Sequence, residues 1–332
     1  MSAPARTTFA VLGDGGWGTA LALHLHGLGH RVRWWGSFPD YLAQLDRRRA
    51  NPRYLPGVRI PRGIRITPDL SEAVSGASFV IIAVPSQYLR ATVRRLRGLP
   101  LKDSVLVSVA KGIERRGLKR MSQVIAEELG AAPCAVLSGP SIASEVATGH
   151  PASLVAAARS LALATRVQRA CMGGCLRIYT STDVTGVELG GALKNPIAIA
   201  AGVCDGLGLG NNSKAALITR GVAEMARLGT ALGAKRETFW GLSGLGDLVT
   251  TCLSGRNRRL GERLGRGERL AQILRSTPMV IEGVDTARAA LGVARRHGIE
   301  LPIIEQVHAI LFKHRAPRAA LQALMRRAGK RE

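Results

Sequence analysis

The 332-residue chain is long enough for two domains at roughly 150 residues each. Its 46% hydrophobic and 21% charged residues are typical of a folded globular protein and exclude intrinsic disorder. No apolar run reaches the roughly 18 residues that a membrane-spanning helix needs, and the short polar N-terminus lacks a signal-peptide pattern, so we expect a cytoplasmic protein. The 5 cysteines are an odd number without regular pairing, which favours reduced thiols and no metal site.

The net charge of +24 leaves two interpretations open. One is a protein that binds nucleic acid or a membrane surface. The other is an arginine-rich surface combined with a site for an anionic substrate. The arginines are scattered, and aromatic residues are only 4%, which argues against a base-stacking platform. We therefore expect no nucleic-acid partner and no membrane insertion, while association of the basic surface with anionic membranes stays open.

The first half of the chain alternates short apolar runs with helical stretches, which is the pattern of βαβ units and a parallel sheet. An apolar run at 9–12 ends at Gly13 and is followed by a helical stretch at 17–28. The run 79–84 is continuously apolar, as expected for a strand that is buried on both faces. The other predicted strands are 31–35, 104–109, 135–138, 154–157 and 176–179.

Near residue 183 the pattern changes to long helical segments that are rich in alanine and leucine. Glycine-rich breaks at 206–210 and 241–246 separate some of these segments. The predicted helices are 187–203, 214–232, 259–264, 284–297 and 303–311. We therefore predict a doubly wound α/β domain with a mostly parallel sheet over 1–183, followed by an all-helical domain over 184–332.

Residues 13–18 read Gly-Asp-Gly-Gly-Trp-Gly and match the G-x-G-x-x-G pattern. The pattern is weak alone, but here it follows a predicted strand and opens a predicted helix, which is the setting of a Rossmann-type dinucleotide-binding turn. Gly13 would permit the tight turn, Gly15 a close approach of the backbone to the pyrophosphate, and Gly18 close packing of helix and strand. The N–H groups at the helix N-terminus would then face the phosphates.

The residues that would choose between NAD and NADP are less clear. An acidic residue at the end of the second strand normally binds the ribose 2′-hydroxyl of NAD. Residues 36–39 read Gly-Ser-Phe-Pro and contain no acid, and Asp40 lies further along. Ser37 could donate a hydrogen bond to a 2′-phosphate, although no arginine follows it directly. We expect NAD or NADP to be used, with NADP slightly favoured.

Eight stretches in the chain match one known family in order and spacing. They are GDGGWGTALA (13–22), VPS (84–86), AKG (110–112), SGPSIASE (138–145), VELGGALKNPIAI (187–199), LITRGVAEMARLG (217–229), GLGDLVTTC (244–252) and RNRRLG (256–261). On these motifs the chain resembles the NAD(P)-dependent glycerol-3-phosphate dehydrogenase family, from about residue 8 to residue 325. The resemblance implies a Rossmann domain followed by a helical substrate domain, a homodimer, and reduction of dihydroxyacetone phosphate to sn-glycerol 3-phosphate for phospholipid synthesis.

The resemblance also implies roles for individual residues. Lys194 is the catalytic lysine, Lys111 is a second lysine at the reacting centre, and Asp247 accompanies them. The other substrate-binding residues are Gly139, Ser141, Asn195, Thr251 and the phosphate-binding pair Arg256 and Asn257. The cofactor-contacting residues are Gly16, Trp17, Ser37, Ala143 and Glu282, together with the three motif glycines, Lys111 and Arg256.

One departure from the family lies just before the RNR motif. Bacterial members often carry two further residues there, including a serine. This chain reads Thr-Thr-Cys-Leu-Ser-Gly-Arg-Asn-Arg, with a spacing that resembles eukaryotic members. The role of the bacterial loop serine is therefore not carried over to Ser254 or Gly255.

Elementary chemistry supports the choice of lysines. Reduction of a ketone needs a proton donor and a positive group near the developing alkoxide. An ordinary lysine, with a pKa of about 10.4, exchanges protons poorly near neutral pH. A second ammonium group such as Lys111 would lower the pKa of Lys194, and Asp247 would oppose that shift. Lys194 is the only charge within 190–201, so we expect it to be kept there for function.

Two alternatives remain at this point. The first is another two-domain dehydrogenase that acts on a hydroxy acid or a sugar-acid phosphate. The RNR motif and the GLGDL segment argue against it, because both belong to the phosphate and substrate pocket of the resembled family. The second is a basic nucleic-acid- or membrane-binding protein that kept the nucleotide fold, which would not need Lys111, Lys194, Asp247 and Arg256 together.

Overall fold

Residues 7–329 are described by a computed structural model, and they divide into two units. The first unit contains residues up to 110 and residues 121–184, and the second contains 111–120 and the residues from 185 onward. The segment 111–120 thus packs with the helical part of the chain, although it lies well inside the first half of the sequence. Nothing in its local pattern indicates this placement.

The first unit is built on one eight-stranded sheet in the order β10-β9-β8-β7-β6-β1-β2-β5, and a separate hairpin is formed by β3 and β4. All neighbouring strands of the large sheet are parallel except β8 and β9, which confirms the predicted mostly parallel sheet. The strands are β1 Thr8–Leu12, β2 Arg31–Trp35, β3 Ala50–Asn51, β4 Leu55–Arg59, β5 Arg65–Thr67, β6 Phe79–Ile82, β7 Val105–Ser108, β8 Cys134–Ser138, β9 Ala152–Ala158 and β10 Leu176–Ser181.

Helices cover this sheet on both faces. Successive side chains of a strand point to opposite faces, and in β1 Phe9 and Val11 pack into one apolar core while Ala10 and Leu12 pack into another. The neighbours of β1 in the sheet are β6 on one side and β2 on the other, so the strand order reverses at β1. Open α/β folds bind ligands at the carboxyl ends of the strands where the order reverses. The helices are α1 Gly16–Gly27, α2 Pro39–Arg48, α3 Leu70–Val74, α4 Ser86–Arg94, α5 Met121–Leu129, α6 Ala143–Ala147 and α7 Leu161–Cys171.

In the described part of the second unit we find no strand beyond a single bridge between Ile113 and Arg120, which confirms the predicted helical domain. Its helices are α8 Val184–Gly206, α9 Asn211–Ala231, α10 Asp247–Leu253, α11 Arg256–Gly265, α12 Leu270–Arg275, α13 Glu282–Arg296, α14 Pro302–Phe312 and α15 Pro317–Met325. A 3₁₀ helix spans Arg236–Trp240. None of the helices within residues 7–329 is both long enough and apolar enough to span a membrane.

Two predictions for this unit were wrong in detail. The stretch 241–246 was predicted as a break, but Leu242–Gly246 forms a π-helical turn that leads directly into α10. Gly190 of α8 explains the difference, because a Cβ atom there would lie 2.6 Å from the Ser243 carbonyl oxygen, so the turn packs against the α8 backbone. The helix predicted at 259–264 begins three residues earlier, after Gly255 with a φ of 106°.

Helices α8 and α11 cross with their backbones in contact. A Cβ atom at Gly202 would lie 1.9 Å from the Arg258 carbonyl oxygen, and one at Gly261 would lie 1.9 Å from the Ile199 carbonyl oxygen. Only glycine permits so close an approach. The crossing therefore fixes the first turn of α11 beside the middle of α8.

Candidate active site

The loop after β1 has the geometry expected of a phosphate-binding turn. A Cβ atom at Gly13, whose φ is 133°, would lie 2.5 Å from the Ala83 carbonyl oxygen, and one at Gly18 would lie 2.1 Å from the Gly13 carbonyl oxygen. A Cβ atom at Gly15, in contrast, would meet no atom within 4 Å. Space is therefore open above Gly15, where a pyrophosphate would approach the backbone.

Helix α1 begins immediately after Gly15, and no side chain caps its N-terminus. The backbone N–H groups of its first turn lack helical acceptors, so they can bind an anion. Strand β2 holds the loop in place, because the Gly13 N–H donates to the Trp35 carbonyl oxygen at 2.8 Å and the Trp34 indole donates to the Gly13 carbonyl oxygen at 2.8 Å. The open cradle and its donors fit a dinucleotide phosphate.

Other positions singled out from the sequence also lie in the first unit. Gly139 follows β8 with a φ of 134°, and the Ser141 hydroxyl donates to its carbonyl oxygen at 2.9 Å. Ala143 begins α6, and its Cβ lies 3.6 Å from the position that a Cβ on Gly16 would take. Ser37 is exposed just beyond β2. The structure thus brings Ala143 beside the glycine loop.

In the second unit, two lysines share one carboxylate. Lys194 Nζ donates to Asp247 Oδ1 at 2.7 Å, and Lys111 Nζ donates to Asp247 Oδ2 at 2.7 Å. Lys194 is 6% exposed and Asp247 is 2% exposed, so the expectation that Lys194 is buried is correct. Three elements converge here: segment 111–120, the middle of α8 and the start of α10. We refer to Lys111, Lys194, Asp247 and Thr251 as the lysine cluster.

The environment prepares Lys194 for proton exchange. The pKa of Lys194 is lowered to about 8, mainly by burial and in addition by the charge of Lys111, while the carboxylate of Asp247 opposes both effects. Burial by itself would raise the pKa of Asp247, but Lys111 and Lys194 together lower it below its usual value. The effect of Lys111 on the pKa of Lys194 agrees with the prediction from the sequence, whereas the larger effect of burial on this pKa was not predicted.

Thr251 completes the arrangement around Lys194. Lys194 Nζ donates to Thr251 Oγ1 at 2.6 Å, and this hydroxyl donates to the Asp247 carbonyl oxygen at 2.7 Å. An ammonium group has three donors, and two of them are used by Asp247 and Thr251. Within residues 7–329 the third N–H has no hydrogen-bond acceptor, so it can serve a substrate oxygen.

Two asparagines connect the lysine cluster to α11. Asn195 Nδ2 donates to the Lys111 carbonyl oxygen at 3.1 Å, and Asn257 Nδ2 donates to Asn195 Oδ1 at 2.9 Å. The Gly283 N–H in turn donates to Asn257 Oδ1 at 3.0 Å. The Asn257 side chain is therefore engaged by the protein, and its backbone N–H is the group that remains for an anion.

The N-terminus of α11 has the donors that a second anion would need. No side chain caps it, and Arg256, Asn257 and Arg258 supply the N–H groups of its first turn. The Arg256 side chain is exposed, and its guanidinium lies within electrostatic range of Glu282 at the start of α13. Two residues from the sequence prediction, Arg256 and Glu282, are therefore brought together here.

Sequence reasoning missed the glycines that position these groups. Gly190, Gly202 and Gly261 carry no chemistry, yet they allow the π-helical turn and α11 to approach α8. A signal was present: Gly202 and Gly206 are four residues apart, as are Gly261 and Gly265, which puts each pair on one helix face. Among residues 7–329 there is no cluster of His, Cys, Asp and Glu that could hold a metal ion.

Comparison with known proteins identifies one group of relatives. Residues 8–164 match the family described as NAD-dependent glycerol-3-phosphate dehydrogenase N-terminus, and residues 183–322 match its C-terminus. A glycerol-3-phosphate dehydrogenase (NAD(P)+) of Chlorobium phaeobacteroides is 48% identical over 97% of this chain and 98% of its own length. The corresponding protein of Moorella thermoacetica is 49% identical over 97% of this chain and 96% of its own length. The glycerol-3-phosphate dehydrogenase of Coxiella burnetii superposes with a TM-score of 0.94 at 39% identity, covering 98% of this chain and 100% of that one.

Proposed function

Because this chain belongs to the NAD-dependent glycerol-3-phosphate dehydrogenase family, we propose that Lys194, Lys111 and Asp247 are its catalytic residues. The reaction is the NAD(P)-dependent, reversible reduction of dihydroxyacetone phosphate to sn-glycerol 3-phosphate. The observation that carries the proposal is the buried ammonium of Lys194, held by two hydrogen bonds with a third donor left over.

Lys194 acts as the proton donor to the substrate carbonyl oxygen. When bound, the reduced nicotinamide supplies the hydride. As negative charge develops on the oxygen, the third N–H of Lys194 stabilises it and then gives up the proton. A pKa of about 8 keeps both protonation states of Lys194 accessible near neutral pH, which suits a reversible reaction.

Lys111 and Asp247 tune and hold this group. Asp247 orients the Lys194 ammonium and keeps it charged, while Lys111 lowers the pKa of Lys194 and adds positive charge near the developing alkoxide. Thr251 fixes the direction of Lys194 Nζ because its own hydroxyl hydrogen is committed to the Asp247 carbonyl oxygen. In this proposal Lys194 donates the proton, and Lys111 lowers the pKa of Lys194.

The substrate phosphate binds at the N-terminus of α11. Arg256 offers a planar guanidinium, and the first-turn N–H groups of α11 add neutral donors and a favourable dipole. Asn257 contributes its backbone N–H, while its side chain keeps α11 joined to Asn195. Gly139, Ser141 and Asn195 are the other substrate-binding residues of the proposal.

The cofactor binds at the glycine loop. In this proposal residues 1–183, apart from segment 111–120, are the dinucleotide-binding domain, and residues 184–332 are the substrate and catalytic domain. Segment 111–120 packs with the second unit and adds Lys111 to it. The proposed cofactor contacts are Gly13, Gly15, Gly16, Trp17, Gly18, Ser37, Lys111, Ala143, Arg256 and Glu282. In the cell we propose a cytoplasmic homodimer that supplies glycerophospholipid synthesis.

Initial rates with two ketones test this assignment. Wild-type enzyme with reduced nicotinamide is given dihydroxyacetone phosphate or unphosphorylated dihydroxyacetone, and the product is identified as sn-glycerol 3-phosphate. We expect kcat/KM to favour the phosphorylated ketone by about 30-fold or more, because a charge-assisted contact contributes about 2 kcal/mol. Equal kcat/KM values would contradict the phosphate site, and no reduction of either ketone would contradict the catalytic assignment.

A further inference from the structure

The side chain of Asp14, the second residue of the glycine loop, lies across the end of β2. A Cβ atom on Gly36 would be 2.8 Å from Asp14 Oδ2 and 2.9 Å from Asp14 Cγ. The chain therefore has a carboxyl group at the end of β2 even though no acid occurs at 36–39. It comes from the loop after β1, and the absence of a side chain at Gly36 makes room for it.

Asp14 is held in this position by the hairpin of β3 and β4. Asn51 Nδ2 donates to the Asp14 carbonyl oxygen at 2.8 Å and to Thr19 Oγ1 at 2.8 Å. Asp14 Oδ2 is buried and has no hydrogen-bond partner among residues 7–329. Buried polar atoms without partners are uncommon in native proteins, and carboxylates especially so. Keeping this carboxyl group here is costly to the fold, which points to a role outside folding.

The charge of Arg53 lies within electrostatic range of this carboxyl group. The Asn51 side chain accepts hydrogen bonds from the Tyr54 N–H and the Tyr41 hydroxyl, so residues 51–54 are tied to the glycine loop. Burial raises the pKa of Asp14, whereas its own backbone N–H and the charge of Arg53 act in the opposite direction. The guanidinium of Arg53 is exposed, so its positive charge would be available to a phosphate if Asp14 did not offset it.

At the end of β2 the exposed Ser37 could donate a hydrogen bond to a phosphate, and the Arg95 guanidinium lies 4.9 Å from the centre of the ring of Trp35, the last residue of that strand. Phe38, which follows Ser37, is 63% exposed and apolar. In this fold the adenosine ribose lies at the glycine turn and the end of β2, where an acid accepts the 2′-hydroxyl of NAD and repels the 2′-phosphate of NADP. The carboxyl group that stands there in this chain is that of Asp14.

We propose that Asp14 is the residue by which this enzyme distinguishes NAD from NADP, and that it favours the cofactor without the 2′-phosphate. The inference rests on the proposed binding of the cofactor at the glycine loop. It reverses the expectation drawn from the missing acid at 36–39, since the acid is supplied by the loop after β1. Asp14 acts in two ways: it repels the 2′-phosphate directly and it offsets the attraction of Arg53.

Dissociation constants of NADH and NADPH, measured by titration calorimetry without substrate, test the proposal. Wild type is expected to bind NADH more tightly. Asp14→Asn keeps the shape and removes the charge, so it should shift the affinity ratio toward NADPH by about tenfold or more, given the strength of charge interactions at a protein surface. Adding Arg53→Gln to Asp14→Asn should remove that gain. Asp40→Asn, at the first turn of α2, is the matched control and should leave the ratio unchanged.

Two results would overturn the proposal: wild type that prefers NADPH, or Asp14→Asn with an unaltered ratio. The wild-type ratio needs no variant, so the proposal stays testable if Asp14→Asn does not fold. Binding is measured without dihydroxyacetone phosphate, which separates this test from that of the catalytic assignment. A chain that shows the Asp14-dependent ratio yet fails to reduce the ketone would refute the lysine mechanism and support the role of Asp14.

Discussion

The glycine loop of the first unit and the lysine cluster of the second unit prepare a site in opposite ways. Around Gly15 the protein leaves space open and directs backbone N–H groups into it. Around Lys194 the space is filled by side chains that are hydrogen-bonded to one another. Asp247 accepts from the ammonium groups of Lys111 and Lys194, and Thr251 accepts from Lys194. We therefore expect a larger side chain in the glycine loop to impair cofactor binding, and a shorter side chain in the lysine cluster to impair catalysis.

The largest expected effect comes from adding atoms to the loop. Gly15→Val should abolish NADH binding, because the side chain would occupy the open space above the backbone. Folding should be preserved, since a Cβ atom at Gly15 meets no neighbour and its φ is −71°. Calorimetric titration with NADH and thermal unfolding measure the two properties.

Gly210→Val is a closely matched control for this loop variant. Gly210 precedes α9 with a φ of −74°, and a Cβ atom there also meets no atom within 4 Å. This variant should bind NADH as wild type does. A folded Gly15→Val protein with normal NADH affinity would show that the loop is not the phosphate-binding turn.

The next effect comes from removing atoms from the cluster. Lys194→Ala should lower kcat by at least about 100-fold, the lower range for a lost general acid, while NADH affinity stays near that of wild type. Lys194→Arg should not restore activity, because a guanidinium is effectively never deprotonated in proteins. Steady-state rates measure kcat, and titration with NADH measures the cofactor affinity.

Lys235→Ala, which removes an exposed lysine from the same unit, is the control for Lys194→Ala and should keep wild-type kcat. If Lys194→Ala retained more than about a tenth of wild-type kcat, the proton donor would have to be another group. Lys111 would then be the next candidate, since its ammonium contacts the same carboxylate.

A smaller effect is expected at α11, where a side chain and open backbone donors act together. Arg256→Ala should raise KM for dihydroxyacetone phosphate by about 30-fold, because the first-turn N–H groups remain. Arg266→Ala, at the opposite end of α11, removes the same charge and should change KM by less than about twofold. An equal rise of KM for unphosphorylated dihydroxyacetone would argue that Arg256 does not contact the phosphate.

The smallest expected effect is a shift in the pH dependence of kcat/KM for reduction. Reduction needs protonated Lys194, so kcat/KM for reduction should fall above pH 8, the approximate pKa of Lys194, by tenfold per unit. Lys111→Met removes the neighbouring ammonium, which raises the pKa of Lys194, so the fall should move to higher pH by roughly half a unit to one unit. Lys102→Met, in the first unit, should leave the midpoint in place. A midpoint unchanged by Lys111→Met would show that the two lysines do not interact electrostatically.

Local pattern was enough to predict most of the features on which these experiments depend. The apolar run before Gly13 and the spacing of the next two glycines indicated the β1 turn, and the lack of other charges around Lys194 indicated that this lysine is buried. Such features depend on neighbours in the sequence. They are therefore visible without a structure.

What could not be predicted depends on distant neighbours. Segment 111–120 packs with helices that come much later in the sequence, as the contact between Lys111 and Asp247, 136 residues apart, shows. The turn 242–246 has the composition of a loop, but its contact with Gly190 makes it helical. The carboxyl group of Asp14 reaches the end of β2 from the loop after β1, so residues 36–39 alone suggested that no acid was present.

The backbone contact between α8 and α11 has a consequence for substrate choice. Lys194 lies on α8 and the proposed phosphate-binding turn begins α11, so the crossing at Gly202 and Gly261 sets the distance between the two. A crossing made of long side chains would yield by rotamer changes, but backbone atoms at this separation have no such freedom. If Lys194 and α11 bind the substrate as proposed, we therefore expect the crossing to favour ketones whose carbonyl and phosphate match this distance over those with a longer or shorter carbon chain.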